Sequence, residues 1–424
     1  MIFRYRVRVM YMFLLLILYE ISYSCFNIKL GIKGNALFLG LIFLYYLFDI
    51  LNFKDRKFEA KDIIYSVLIN CFIFGMNFLL RLNYKILFSL VLFSIFQLLF
   101  KRLLIKNRIN VVKVLIIDDG RHLDRLIGVL KGDIKYVYIG YVSDEKFKED
   151  NYLGKVSDIG KIVKRKRINE VVFTNKKQIK NHSDLIVKVK LDGIKVIDYI
   201  NFLEYVEGKV DVDEINSMWV LFTSGFETFS NAFQKRMKRM FDLVVSSILL
   251  ILAFPFMFIT FFLVKLDGGP AFFKQKRIGH LGKDFEIIKF RSMKVHDPKK
   301  FSKYASENDD RIGKIGGFIR KTRLDELPQL INVFKGEMSF VGPRPEWNEL
   351  GRNYEEKIKN YKLRYTVRPG ITGWAQTMYF YSSNLEEVKN KLEYDLFYVK
   401  NHDLILDIVI LFKTVKIVLF GKGM

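Results

Sequence analysis

Residues 321–345, KTRLDELPQLINVFKGEMSFVGPRP, set two carboxylates side by side at Asp325 and Glu326 and end on Arg344 between Pro343 and Pro345. Thr322 or Asp325 is placed to cap a helix that continues through LPQLINVF, with Pro328 in its first turn, where proline sacrifices no hydrogen bond. The acid pair then falls at or near a helix N-terminus, whose unpaired N–H groups and dipole favour ionised side chains and bound phosphate alike. Neighbours on a helix point about 100° apart, so the two would not share one proton as an acid/base dyad does. They suit two separate jobs, one as nucleophile and one as cation ligand. Alone, the pair reads more readily as a capping acid beside a surface acid. Its surroundings point to phosphate: Arg311, Arg320, Lys321, Arg323, Arg344 and Arg368 all lie within about fifty residues of it. Guanidinium forks match the oxygens of a pyrophosphate. The prolines stiffen the backbone that presents Arg344. A second Pro/Gly-rich loop, RPGITGWAQ at 368–376, offers backbone N–H groups and a stackable Trp374.

Such a site needs elements to hold it, and the composition limits what they are. The chain has 424 residues, enough for two or three domains; half are hydrophobic and 15% aromatic, while 27% are charged and the net charge is +24. Apolar and charged residues must therefore be segregated, as in a membrane protein with substantial aqueous parts. Apolar stretches at 9–26, 36–51, 63–80 and 86–104 each approach the ~20 residues that span a bilayer. The first lacks a small-residue cleavage site and has three more such segments behind it, which argues against a signal peptide. Lys and Arg cluster before the first stretch, after the second and after the fourth. The positive-inside rule then puts the N-terminus, the middle loop and everything after residue 105 in the cytosol. Cys25 and Cys71 both lie in apolar runs, and the five histidines show no ligand spacing, so neither a disulfide framework nor a metal cluster is expected.

From residue 111 the texture changes. VVKVLIIDD, KYVYIGYVSD, INEVVFTN and GIKVIDYI are short β-rich runs, with helical patterns such as DIGKIVKRK and HSDLIVKVKL between them. The alternation predicts a cytosolic α/β, Rossmann-like domain with a parallel sheet over 110–205. Where a dinucleotide fold carries G-x-G-x-x-G, this chain has IDDGRHLDRL with Gly120 alone, so an interaction or regulatory module is expected and no dinucleotide. A linker over 206–232 leads to the last segment, 233–424. That segment opens with an apolar run at 241–264 long enough to cross a membrane, interrupted by Pro255 and flanked by basic residues at both ends. A true crossing would strand one basic cluster and the whole remaining domain outside the cell. A kinked helix that dips in and returns keeps both clusters cytosolic.

From about residue 235 to 422 the chain resembles the bacterial sugar transferases, the monotopic polyprenyl-phosphate phosphoglycosyl transferases. The matching pieces are KRMFDLVVS, FFKQKRIGHLGKDFEIIKFRSM, NDDRIGKIGGFIRKTRLDELPQLINVFKGEMSFVGPRP, VRPGITGWAQ and YDLFYVKNHDLILDIVIL, in the family's order and spacing. Four N-terminal transmembrane helices over 1–106 and a nucleotide-fold-like domain resemble the family's large subfamily in architecture. The resemblance implies a mostly α catalytic domain with a re-entrant membrane helix. It also implies transfer of a sugar 1-phosphate from a UDP-sugar to polyprenyl (undecaprenyl) phosphate, which initiates exopolysaccharide, capsule, O-antigen or glycoprotein assembly. In that scheme Asp325 is the nucleophile that forms a covalent phosphosugar intermediate and Glu326 the Mg²⁺ ligand. Arg320 binds phosphate, and Pro343, Arg344 and Gln376 line the substrate site.

The expected partners are the UDP-sugar, polyprenyl phosphate and membrane lipid, with no nucleic acid, because lipid and phosphate partners account for the excess charge. A homo-oligomer is compatible with the reading. The expected location is the bacterial cytoplasmic membrane, multi-pass, with the active site on the cytosolic face. The chain departs from the family's pattern at two points. Gln376 is followed by TMYFYSSN where a Gly-Arg pair is common, and Phe254 stands before Pro255 where Ser is usual. The first departure motivates one alternative: a catalytically weak membrane scaffold acting through the middle domain.

Overall fold

The computed structural model describes residues 111–131, 135–148, 150–174, 176–223, 231–266, 268–293, 312–379 and 384–420, with 64–72 and a few isolated positions before 103. The four N-terminal apolar stretches lie outside the described residues except for 64–72 and those isolated positions, which are helical. The chain divides into two compact units, Met1–Gly208 and Lys209–Met424.

In the first unit, β1 (Val112–Ile117), β2 (Tyr136–Val142), β3 (Tyr152–Gly154), β4 (Glu170–Phe173) and β5 (Lys195–Asp198) form one sheet, ordered β3-β2-β1-β4-β5. Every pairing in it is parallel, as the alternating pattern predicts. The helices are α1 (Leu123–Lys131), α2 (Ile159–Lys166), α3 (Lys176–Asn181), α4 (Ser183–Leu191) and α5 (Tyr199–Glu207). Parallel strands bury both faces, and two apolar cores result. Val114 and Ile116 pack with α1 and α5, while Leu115, Ile117 and Val171 pack with α2 and α4. The first strand-to-helix turn carries a buried carboxylate. Asp118 accepts from the Gly120 N–H at 3.0 Å and from the Thr174 hydroxyl at the end of β4. It stands where a dinucleotide fold presents glycines to pyrophosphate.

The second unit begins with residues the sequence reads as a linker. Val210, Val212 and Ile215 are buried, and Val210 N–H donates to Glu393 O at 3.0 Å. After α6 (Ser217–Phe222) comes α7 (Ala232–Lys265), 34 residues that continue as helix through Pro255. At about 1.5 Å per residue such a helix is ~51 Å long. Both its ends are tied to the same fold. Near the start, Lys238 Nζ pairs with Asp407 and donates to Val341 O at 3.2 Å. One turn on, Asp242 Oδ1 accepts from Ser339 Oγ at 3.0 Å and from Phe340 N–H at 3.2 Å. Near the other end, Val264 is buried with Phe290 and Ile319, and its carbonyl accepts from Arg291 at 3.1 Å. The middle is exposed: Ile251 is 74% and Leu252 63% accessible. It is the one helix among the described residues that is long and apolar enough to cross a membrane.

A hairpin of β6 (Phe272–Ile278) and β7 (Asp284–Phe290) follows, then α8 (Lys314–Lys321), α9 (Gln329–Lys335), β8 (Ser339–Val341) and α10 (Asn348–Lys357). The unit closes with β9 (Gly370–Thr372), α11 (Trp374–Met378), α12 (Leu385–Asn401) and α13 (Leu404–Phe420). Strands β8 and β9 pair in parallel, and the loops beyond them pack backbone on backbone. A Cβ at Gly342 would lie 2.2 Å from Arg368 O, and one at Gly370 2.1 Å from Gly342 N, so neither position tolerates a side chain.

Candidate active site

The acid pair sits on a tight turn between two helices. Thr322 does not start the following helix; it closes α8, its hydroxyl donating back to Phe318 O at 2.8 Å. Arg323 then adopts a left-handed conformation (φ 59°), unusual for a residue with a side chain, and reverses the chain. Leu324–Glu326 form one 3₁₀ turn, and Pro328 occupies the N-cap position of α9 without a side-chain cap. The expected cap by Thr322 or Asp325 is therefore absent. The physical reason is Leu324, which packs against the Val264, Phe290 and Ile319 cluster and pins the turn between the helices. The carboxylates precede the helix instead of capping it.

The two acids have opposite surroundings. Glu326 Oε1 accepts from Lys289 Nζ at 3.0 Å and from Arg344 Nη2 at 2.8 Å. Burial alone would raise its pKa, but Arg344 and Lys289 outweigh burial and hold the carboxyl far below the usual glutamate range. Asp325 is buried, and its Oδ1 has no hydrogen-bond partner among the described residues. Burial, then the charge of Glu326, push its carboxyl up, against the opposing pull of Lys289, Arg323 and Arg320. Environments that drive two neighbouring carboxyls apart assign them different chemical roles. Arg320, in the last turn of α8, also has a buried nitrogen, Nη1, without a partner among the described residues. A buried charged group left unpaired is costly. Asp325 Oδ1 and Arg320 Nη1 are thus two buried polar atoms that a bound ligand would satisfy.

Arg344 is held from behind. Its carbonyl accepts from Arg364 at 2.9 Å, and the next one, Pro345 O, accepts from Arg277 at 3.1 Å. Arg364 also pairs with Asp395 at 2.8 Å, where both side chains are only 2% exposed, and donates to Tyr361 at 2.6 Å. Glu346 pairs with Lys391 at 2.8 Å. Pro343 is buried, and its carbonyl accepts from Gly370 N–H at 3.0 Å. Gln376 donates to Ile371 O at 3.2 Å, while its Oε1 is buried without a partner among the described residues.

Not every residue of the expected collar is brought here. Arg368 is engaged elsewhere, its Nε donating to Gly336 O at 3.0 Å. Arg311 lies outside the described residues. Trp374 is not a stacking platform for a ligand: it is 1% exposed, stacked on Phe397 with centroids 5.6 Å apart, and covered by Lys413. Its size places it in the core under α12. Sequence reasoning did not single out Lys289, Arg364 or Asp395. A lysine inside the apolar run EIIKF was the one local signal, and the other two reveal themselves only through a partner 31 residues away.

The carboxylates also bear on a cation. No cluster of three or more His, Cys, Asp or Glu forms a metal site among the described residues. Mg²⁺ requires less from a protein, since it keeps waters and binds through one or two carboxylates plus substrate phosphates. The orphaned Asp325 Oδ1 beside the ionised Glu326 fits that requirement.

Residues 233–421 match the family described as bacterial sugar transferase. One relative is the UDP-N-acetylgalactosamine-undecaprenyl-phosphate N-acetylgalactosaminephosphotransferase of Aeromonas hydrophila, 37% identical over 241 residues, or 56% of this chain and 55% of the relative. A second is the UDP-glucose:undecaprenyl-phosphate glucose-1-phosphate transferase of Escherichia coli K12, 41% identical over 193 residues, 45% of this chain and 42% of the relative. A third is the undecaprenyl-phosphate galactose phosphotransferase of Salmonella typhimurium, 41% identical over 202 residues, 44% of this chain and 41% of the relative. The chain spans about half the length of the curated relatives it matches. The sugars in the three names differ while the identities hardly do, so similarity does not select a sugar. Over residues 233–421, the chain is similar to the bacterial sugar transferases.

Proposed function

We propose that this chain transfers a sugar 1-phosphate from a UDP-sugar to a polyprenyl phosphate and so starts a glycan on its lipid carrier. The observation that carries the reading is the Asp325–Glu326 turn, where an unpartnered, buried carboxylate oxygen adjoins a carboxylate already held by two cations. Asp325 attacks the phosphorus that bears the sugar. The bond from that phosphorus to the bridging oxygen breaks, UMP leaves with the electron pair, and the sugar phosphate stays on the aspartate. An oxygen of polyprenyl phosphate then attacks the same phosphorus, the bond to Asp325 breaks, and the carboxylate returns. Splitting one displacement into two gives ping-pong kinetics.

Each step gathers phosphate charge in a small space, so the surrounding cations stabilise it. Arg320 binds phosphate through its unmatched Nη1. Arg344, stiffened by Pro343 and Pro345, keeps Glu326 ionised and offers its remaining N–H groups to the diphosphate. Gln376 directs its buried Oε1 at a donor on the sugar nucleotide. Mg²⁺, when bound by Glu326, would neutralise part of the phosphate charge in the transition state. Glu326→Gln should therefore raise the Mg²⁺ concentration needed for half-maximal rate or remove activity; an unchanged metal titration contradicts this role.

The same reading places α7 in one leaflet. Its two ends are tied to one fold, by Lys238 and Asp242 at the start and Val264 at the finish. A helix crossing the bilayer would carry those ends to opposite faces. A re-entrant helix, with four N-terminal spans ahead of it and basic clusters at both ends, sets Asp325 at the cytosolic surface where a lipid phosphate lies. The test is to incubate the purified protein with a panel of UDP-sugars and polyprenyl phosphate. One sugar nucleotide should release UMP in step with lipid-linked product; release from none of them contradicts the reading.

A further inference from the structure

We infer, on the transfer reaction proposed above, that Gln329 is a catalytic residue: its side-chain amide donates to a non-bridging oxygen of the phosphoryl group as that group moves onto and off Asp325. Gln329 is the first residue of α9 and stands one turn past the acid pair. The chain between them is an unbroken right-handed path. Leu327 N–H donates to Leu324 O at 3.3 Å, Leu330 N–H to Leu327 O at 3.1 Å, and Ile331 N–H to Pro328 O at 3.0 Å. Residues one turn apart on such a path lie on the same side of it.

That side faces β7. Glu326, three residues before Gln329, accepts from Lys289 Nζ at 3.0 Å. Asn332, three residues after it, accepts from Ile288 N–H at 3.1 Å and donates to Glu286 O at 2.7 Å. Gln329 stands between these two contacts and is 1% exposed. The two amides are used differently. Asn332 commits its nitrogen twice, to Glu286 O and to Glu337 Oε2, both at 2.7 Å. Gln329 Nε2 is buried with no hydrogen-bond partner among the described residues. Buried amides are almost always paired, and an apolar side chain in the same place would avoid the cost of an unpaired one.

Two more such atoms lie within residues 320–329, the donor Arg320 Nη1 and the acceptor Asp325 Oδ1. Gln329 Nε2 and Asp325 Oδ1 are not bonded to each other, since neither has a partner among the described residues. A phosphoryl group esterified to Asp325 presents two non-bridging oxygens, and the turn offers two unspent donors to meet them. A buried donor already in place stabilises the charge that builds on such an oxygen in the transition state. Gln329 makes hydrogen bonds only. The bonds to phosphorus form and break as written above, and the amide moves no proton.

The test is rapid-quench kinetics of the full-length chain in nanodiscs, with the UDP-sugar that releases UMP in the panel above. Gln329→Met keeps the length of the side chain and removes its donor. It should lower kcat about 10²–10³-fold, the scale of one lost oxyanion donor. KM for the UDP-sugar should move by less than about threefold, because the interaction is made in the transition state. The burst of UMP without acceptor and the discharge of the adduct by polyprenyl phosphate should slow together, since one donor serves both steps. Tm should hold, as Nε2 has no hydrogen bond to lose among the described residues. Gln329→Ala removes the same donor with a smaller side chain and should give the same split between kcat and KM. A kcat within about threefold of native in either variant would overturn the inference, as would a loss of rate that both variants share with a large fall in Tm. Native protein that releases no UMP from any UDP-sugar sinks the transfer reading and the donor with it; turnover that persists in the variants sinks the donor alone.

Discussion

Asp325→Asn is expected to abolish transfer, by at least about 10⁴-fold, while leaving the fold intact. Asparagine keeps the shape of the side chain and removes the nucleophilic charge. Its effect on stability follows from the surroundings. Burial raises the pKa of Asp325, so the native state holds this proton more tightly than the unfolded chain does. Stability contributed by such a group is full below the ordinary aspartate range and is lost as pH rises through the raised native value, so at neutral pH the ionised carboxylate is a cost. Asparagine removes that cost, so Tm should hold or rise as activity disappears. The same shift displaces the acid limb of the native enzyme: kcat/KM should fall, on acidification, with an apparent pKa above that of an ordinary aspartate. An active Asp325→Asn protein would reject the nucleophile. A sharply lowered Tm would mean that the side chain serves the fold.

Arg364→Met is the second large expectation, and it tests the support of the site. Arg364 and Asp395 form a nearly fully buried ion pair, and Arg364 also holds the carbonyl of Arg344. Removing one partner of a buried pair leaves the other charge uncompensated, at about 3–5 kcal/mol. Denaturation of the detergent-solubilised chain should show a loss of that size. Exchanging both partners for apolar residues is often close to neutral. The double variant Arg364→Met, Asp395→Leu should therefore recover most of the stability but little of the activity, because nothing then holds the Arg344 carbonyl. A single variant that loses less than ~1 kcal/mol would contradict the buried-pair assignment. Full activity in the double variant would show that the backbone hold on Arg344 is dispensable.

The elements that were legible in the sequence are those whose cause is local. Short β-rich apolar runs such as KVLII became parallel strands, and the long apolar run around Pro255 became α7. The acid pair and Arg344 could be grouped because eighteen residues of chain separate Glu326 from the arginine it pairs with. What escaped was set by distant partners. Thr322 has the chemistry of a cap at either end of a helix, and the packing of Leu324 decided that it closes α8. Trp374 looked available beside two glycines until α12 was laid over it. Lys238 read as one of a basic cluster near the membrane, yet it reaches 169 residues along the chain to pair with Asp407. The hydrogen bonds that hold Val341, Arg344 and Pro345 come from Lys238, Arg364 and Arg277, none of them adjacent in sequence.

The central claim is that Asp325 carries the sugar phosphate between two lives, one on a nucleotide and one on a lipid. The most direct measurement is mass spectrometry of the native protein mixed with its UDP-sugar and no acceptor. The account predicts one sugar phosphate added per chain, located on the peptide that contains Asp325, with a matching burst of UMP, and release of the adduct when polyprenyl phosphate is supplied. An enzyme that turns over with acceptor present but never gains that mass, or gains it at another residue, would contradict the account.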